Sequence, residues 1–333
     1  MKVFRSGLLL LALLLSSAAA QAEPVKLRFA VFIPEGPTYS LLLKPFVEAV
    51  NKEAKGAIQI EIFGNGALGR NPVQQAQMVA DGVADLAWVI LPQSRGRFRD
   101  TEVLELPGVF RDLEEATNVS THLLKKGHLQ GFDEYYVVGL VGTGPTSIHS
   151  RGQITSFDAI KGKKVRAGGA IESSAIRAMG GVPVGLTINE IVEAVGRGNV
   201  DGITALPSTL FDFGFVSVVN THYFTRIGNL PMAILMNKKK FDSLPIEGQD
   251  AIRKFSGDWI AQKFNAGLGP YYLQLVKQLQ DDPKRKVVIA SDAEIAQAEA
   301  SFRTVIDEWA AQNDRNKVLL KSLIDEVATL RKR

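Results

Sequence analysis

Apolar and polar positions alternate along Val25–Phe32 (VKLRFAVF), the two-residue period of a strand. Pro34-Glu35-Gly36-Pro37 stops it, because prolines and a glycine so close together continue no regular element. From Tyr39 to Ala54 the apolar positions recur at helical spacing, with Pro45 demanding a kink or a late start. Ile58–Phe63 alternates again. A Gly-rich turn follows, then a helical stretch over about Pro72–Asp81, then the near-continuous apolar run Leu86–Ile90. Strands alternating with helical segments predict a parallel-type α/β sheet covered on both faces. Further on, a long helical pattern around Leu113–Glu134 leads to Tyr136–Val141, where alternation restarts. Ser147–Ser150, Lys163–Arg166, Val182–Leu186 and Gly202–Leu206 are short strand candidates, with helices Ala170–Met179 and Ile188–Val195 among them. A second α/β unit therefore occupies roughly residues 144–229. Pro231–Met236 is another apolar strand, and the pattern leaves open which sheet it joins. Beyond it the chain is mainly helical, over Ile246–Gln280, Asp292–Ala311 and Val318–Arg331. Gly267-Leu268-Gly269-Pro270 lies inside the first of these, which is either one kinked helix or two helices joined by a tight turn.

Composition changes this picture little. The 333 residues are 46% hydrophobic and 22% charged with no Cys, which excludes a disordered, collagenous or disulfide-stapled chain and fits two domains. A formal charge of +4 with no basic stripe excludes a nucleic-acid binder. The N-terminus matters more. Lys2 and Arg5 precede an apolar run from Leu8 to Leu15, and Ala20-Gln21-Ala22 places small residues where a signal peptidase reads them. Residues 1–22 are expected to be a signal peptide, removed on export to the periplasm. Their removal leaves 37 basic and 35 acidic residues. No later apolar run approaches the ~18–20 residues of a membrane span.

Catalytic patterns are sparse. Gly64-Asn65-Gly66-Ala67-Leu68-Gly69 satisfies G-x-G-x-x-G between a strand and a helix, but the acidic residue that should close the next strand is misplaced. Asp85 opens the strand Leu86–Ile90 instead, so no nicotinamide cofactor is expected. His122 and His128 are six apart and do not share a helix face, and no other metal-ligand spacing occurs, so no metal is expected. No G-x-S-x-G elbow is present, and adjacent pairs such as Glu114-Glu115 point apart on a helix. The chain is expected not to be an enzyme.

A ligand grip is easier to find. Lys161-Gly162-Lys163-Lys164-Val165-Arg166 enters and forms a strand, and Arg166 ends it just before Ala167-Gly168-Gly169-Ala170 and a helix. Ligands of open α/β sheets bind at the carboxyl ends of strands, where a guanidinium can hold a carboxylate bidentately. Gly168 and Gly169 would let a ligand approach the backbone and the helix N-terminus. On spacing alone, a surface arginine is the alternative reading.

Taken in order, Gly66-Ala67-Leu68-Gly69, Lys161–Arg166, Gly180-Gly181-Val182-Pro183-Val184, the Glu190-containing helix, Asn199-Val200-Asp201-Gly202, Asn237-Lys238 and Leu244-Pro245 form a series. The series resembles the DctP-type solute receptors of TRAP transporters, from about Val25 to beyond Trp309. The resemblance implies a two-lobed α/β periplasmic binding protein with a sheet in each lobe, a ligand cleft between them and a long helix spanning both. Lobe I is expected over 23–143 plus 230–268, and lobe II over 144–229 plus 269–333. It implies capture of a small organic acid and its delivery to a permease of one small and one large membrane subunit. The family's arginine of the K-G-x-K-x-R strand salt-bridges the ligand carboxylate, and Arg166 holds that position here. Rival readings are a binding protein for another transporter or sensor, and an exported NAD-dependent enzyme.

Two departures narrow the ligand. Sialic-acid-type members resemble a pattern with Glu-Asn-Pro after V-D-G, whereas Asp201-Gly202 is followed here by Ile203-Thr204-Ala205-Leu206-Pro207. Their second arginine has no counterpart in Thr143–Ser147. The hydroxyls of a sugar acid would find few partners. Candidate walls are Phe32, Leu68, Trp88, Thr204, Pro207, Phe211 and Phe213. Ala87–Val89, Gly96–Phe98 and Thr143-Gly144-Pro145 look most like a branch whose ligands include aromatic acids, which adds Gly144 and Pro145 as candidates. The expected ligand is a monocarboxylate with an aromatic or otherwise apolar body.

Overall fold

Alternation and apolar runs resolve into two sheets in the computed structural model, which describes residues 23–332 except Arg95 and Gln153. The expected signal peptide lies outside the described residues. The strands are β1 (Val25–Ala30), β2 (Ile58–Phe63), β3 (Leu86–Ile90), β4 (Tyr135–Pro145), β5 (Ser147–Ser150), β6 (Lys164–Ala167), β7 (Val182–Gly185), β8 (Gly202–Ala205), β9 (Thr221–Phe224), β10 (Asn229–Asn237) and β11 (Lys286–Ile289). The helices are α1 (Lys44–Glu53), α2 (Gln75–Ala80), α3 (Leu113–Lys125), α4 (Ala170–Ala178), α5 (Ile191–Gly196), α6 (Pro207–Asp212), α7 (Lys238–Asp242), α8 (Ile246–Lys254), α9 (Asp258–Asp281), α10 (Asp292–Ala311) and α11 (Asp314–Leu330).

The first sheet has the order β2-β1-β3-β10-β4 and the second β11-β9-β5-β8-β6-β7. Both are mixed. In the first, β10 runs antiparallel to β3 and β4, so the strand left unassigned by its pattern is a centre strand of lobe I. In the second, β5 is antiparallel to β8 and β9 while β6 is parallel to β7 and β8. Every residue of β3 is buried, as its unbroken apolar run requires for a strand covered on both faces. Leu86, Trp88 and Ile90 join one core cluster and Ala87 and Val89 the other, so successive side chains serve opposite faces.

Several helix boundaries differ from the pattern. A π-helical turn over Tyr39–Leu43 precedes α1, and Pro45 stands in the first turn of α1, where its missing N–H costs nothing. The helix expected to reach Glu134 stops at Lys125, with the N–H groups of Gly127 and His128 bonded back to Leu124 and Leu123 carbonyls at 2.9 and 3.0 Å. The stretch Ile246–Gln280 is two helices, and the break is not at the Gly-Pro motif. Gly257, at φ +57°, turns the chain between α8 and α9 and donates to the Val138 carbonyl at 2.7 Å. Pro270 instead stays inside the 24-residue α9. That helix touches α3, β4 and the Tyr39–Leu43 turn on one side and α6 and β11 on the other, so it spans both lobes. The tail departs from the expected division. While α10 packs on α4, α11 lies on α3 and the Arg99–Glu105 turn, where Leu319, Leu323 and Val327 enter a lobe I cluster. The stretch 269–333 is therefore shared between the lobes.

Two neighbouring strand passages join the lobes. β4 runs into β5 through the single residue Thr146, and β9 returns to β10 through Thr225–Gly228. They are tied by Thr146 N–H to the Gly228 carbonyl at 2.7 Å and Ile227 N–H to the Thr146 carbonyl at 3.2 Å. Among the described residues no helix is long and apolar enough to cross a membrane.

Within lobe II, His149 and His222 face each other in the β5–β9 register with their Nδ1 atoms 3.0 Å apart. Burial, with His222 beside it, pushes His149 down to about 3, and burial with Arg285 nearby pushes His222 down to about 4. Both stay neutral in the folded protein, whereas an unfolded chain takes up their protons below its ordinary histidine pKa of about 6.5. Stability is therefore full above about pH 6.5 and falls as the pH drops from there toward the folded values. Thermal unfolding from about pH 7 to about pH 4.5 should show a declining midpoint, and a shallower decline in the double variant His149→Gln, His222→Gln.

Candidate ligand-binding site

Parallel pairing of β6 with β7 and β8 brings Arg166 to the strand end facing lobe I. Its side chain is nearly buried, at 6% exposure. Nε–H donates to the Leu186 carbonyl at 2.9 Å, and Thr204 Oγ1–H donates to the Arg166 carbonyl at 3.0 Å, which holds the strand end in place. Among the described residues neither Nη group has an acceptor, and no carboxylate lies within ion-pair distance. Burial pulls the guanidinium pKa down, and Glu172 and Glu190 act against that from further away. Glu172 is occupied elsewhere. Its carboxylate accepts from Thr146 Oγ1 at 3.0 Å and from Gly168 N–H at 2.7 Å.

Arg166 lines a closed chamber of about 30 Å³ with Gly168, Thr146, Thr204, Glu172, Gln93 and the apolar Ile90, Ile188, Ile191, Leu206, Phe215 and Leu230. A second chamber of about 40 Å³ adjoins it, sharing Ile90, Ile188, Leu206, Thr209 and Leu230. Its further walls are Phe32, Ile33, Trp88, Phe213, Met232, Phe264 and Leu268, with Thr38, Thr143, Ser208, Asp212 and Tyr272 as polar members. Arg166 is the only basic residue lining either chamber among the described residues. Each volume suits about one or two waters. Neither volume holds an aromatic ring in this arrangement of the lobes. Contacts between the lobes include Thr38 Oγ1–H to Asp212 Oδ2 at 3.2 Å, Asn189 Nδ2–H to the Arg70 carbonyl at 3.0 Å, and Gly169 against Pro92 and Glu105. Burial, with Glu102 and Glu172 near, pushes the Glu105 carboxyl well up, which favours its neutral form at this contact.

The sequence candidates divide accordingly. Arg166, Gly168, Thr204, Phe32 and Trp88 line the chambers, as does Phe213. Gly169 lies outside them, in a groove of about 300 Å³ at the cleft mouth. Leu68 packs with the cluster of Ala76, Val79, Ala87 and Val89, on the sheet face opposite Trp88. Gly144 backs onto α3, where a Cβ would meet the Leu113 nitrogen at 2.8 Å, and Pro145 pairs with Asn229 at the end of β4. Pro207 starts α6, and Phe211 packs against the core beside the chamber. Sequence reading missed Thr38, Gln93, Thr146, Glu172, Ser208, Thr209, Asp212 and Tyr272.

A family model for bacterial extracellular solute-binding proteins, family 7 (DctP), matches residues 29–313. The chain belongs to that family. DctP, the C4-dicarboxylate-binding periplasmic protein of Rhodobacter capsulatus, is 27% identical over 72% of either chain. A marine-metagenome TRAP solute-binding protein specific for aromatic acid ligands superposes with a TM-score of 0.86 at 24% identity in its 3-hydroxybenzoate complex, covering 92% of this chain and 99% of that one. Its triple surface mutant with metahydroxyphenylacetate gives 0.84 at 25%, over the same shares. A TRAP solute-binding protein of Rhodoferax ferrireducens, holding copurified benzoate, gives 0.83 at 23%, covering 92% of this chain and 99% of that one. The DctP-family chain is thus a TRAP-type receptor for small organic acids, of an extracytoplasmic family whose members and fold neighbours are binding proteins rather than enzymes.

In this DctP-family receptor, Gly168 leaves the guanidinium its room. A Cβ there would stand 3.2 Å from both Nη atoms of Arg166. Gly168→Ala should push the guanidinium a few tenths of an ångström from its place and misalign its fork, a several-fold loss of affinity for an acid ligand measured by calorimetry. The unfolding midpoint of the free protein should change little.

Proposed function

We propose that this protein is an exported receptor that captures a monocarboxylate with an aromatic or otherwise apolar body and hands it to a TRAP-type permease of small and large membrane subunits. One observation carries the reading: a guanidinium buried at the end of an apolar double chamber with neither Nη group hydrogen-bonded among the described residues. A buried cation without a partner costs several kcal/mol, and a carboxylate taking both Nη groups removes that cost. The rest of the wall favours a single negative charge. A second carboxylate, as in a C4-dicarboxylate, would meet Asp212 or Glu172 and no second cation. Rings suit walls made of Phe32, Trp88, Phe213 and Phe264.

The anchor sits in lobe II and most of the aromatic wall in lobe I, so ligand binding favours the closed arrangement. Closure expels water and strengthens the ion pair, and a permease that binds the closed form better than the open one receives loaded receptor selectively. The leader over residues 1–22 fits export.

Thermal-shift measurements on residues 23–333 should show a rise with benzoate-type acids and none with sugar acids. Ligand at a hundred times its Kd stabilises the folded state by about 2.7 kcal/mol, a change of degrees in midpoint. Arg166→Lys keeps the charge but loses the planar fork, and should weaken binding by about tenfold or more. Unchanged affinity in that variant would show that Arg166 is not the anchor.

A further inference from the structure

The chamber remote from Arg166 is lined by one residue whose buried polar atom has no partner among the described residues. Trp88 is 1% exposed and lines it, and the indole Nε1–H is buried with no acceptor among the described residues. Buried N–H groups nearly always find a partner, so this one lacks an acceptor that a bound molecule could supply. The same chamber is lined by Asp212, at the end of α6. Its carboxylate accepts from Thr38 Oγ1 at 3.2 Å and, at the limit of a hydrogen bond, from Tyr271 OH at 3.5 Å. A carboxylate offers about four acceptor positions, so capacity remains. Burial outweighs those two hydrogen bonds and pushes Asp212 up to about 6, the mark of a carboxylate short of donors.

We propose that this end recognises a hydroxyl group, so that the ligand is a hydroxylated aromatic acid with its carboxylate at Arg166 and its hydroxyl between Trp88 and Asp212. The proposal rests on the carboxylate reading of the Arg166 end. A hydroxyl is both acceptor and donor: it takes the indole N–H and gives its own proton to the carboxylate. Other groups satisfy one partner and fail the other. A second carboxylate would accept from Trp88 and be repelled by Asp212. An ammonium would pair with Asp212 and leave Trp88 orphaned, and an unsubstituted ring leaves both unmet.

The test is calorimetric titration of residues 23–333 with benzoate, the ring-hydroxylated benzoates and the matching methoxybenzoates. At least one hydroxybenzoate should bind about tenfold or more tightly than benzoate, because a site built to bond a hydroxyl rejects the analogue lacking it. Its methoxy counterpart, which accepts but cannot donate, should lose most of that advantage. In Trp88→Phe the ratio of hydroxybenzoate to benzoate affinity should fall to about one, whatever the change in benzoate affinity itself. Equal binding of benzoate and every hydroxybenzoate overturns the proposal but leaves the carboxylate reading intact, as does a preference that survives Trp88→Phe. The wild-type ligand series decides by itself if that variant does not fold. Folded protein that binds none of the acids, benzoate included, overturns both readings.

Discussion

The site is organised around a cation that the protein holds away from water and does not neutralise. Arg166 reaches that position because β6 is short, paired on both sides and pinned at its end by Thr204, and because Gly168 puts no atom in the way. Its Nε–H is fixed by a backbone carbonyl, which orients the fork without using it. Glu172 and Glu190 are near enough to keep the guanidinium charged, and each is engaged by a hydroxyl and a backbone N–H of its own neighbourhood. The resulting field attracts an anion, and among the described residues no side chain has taken the anion's place. Much of the remaining fold serves to bring an apolar wall against this point from the other lobe.

How much of this the sequence discloses depends on whether the signal is local. Alternation in β1 and β2, the apolar run of β3 and the position of Arg166 before two glycines are each contained in a few residues. They could be read directly. The C-terminal break at Gly257 went unseen because its cause is distant: a backbone bond to Val138 on β4. A proline after the glycines drew attention to Gly267–Pro270 instead, where the surrounding packing keeps the helix whole.

Within the site, α6 is the instructive omission. Leu206-Pro207-Ser208-Thr209 carries a helix-start signal, proline at the first position. Helical spacing then puts Ser208 with Asp212 and Thr209 with Asp212 and Phe213 on a shared face, and these are the residues that line the chambers. Of the candidates from this stretch, Phe213 lines the chamber, while Pro207 and Phe211 are turned away by the helix. Thr38, Gln93 and Leu230 carried no local signal. They become neighbours only when two sheets from separate parts of the chain close on each other.

Thr146 belongs both to the passage between the lobes and to the wall beside Arg166, and its hydroxyl holds Glu172. A pair of cross-linked strands resists splaying more than twisting about its length, so it is a candidate pivot, alongside the α9 helix that also crosses between the lobes. On the function proposed above, the carboxylate end of the ligand would rest beside this pivot, on a short lever arm. A small rotation there sweeps a wide arc at the outer rims of the lobes, the surfaces a membrane partner would touch. A receptor built this way would convert a chemical event at its axis into a change of outline at its periphery, as a gear train multiplies a turn at its hub.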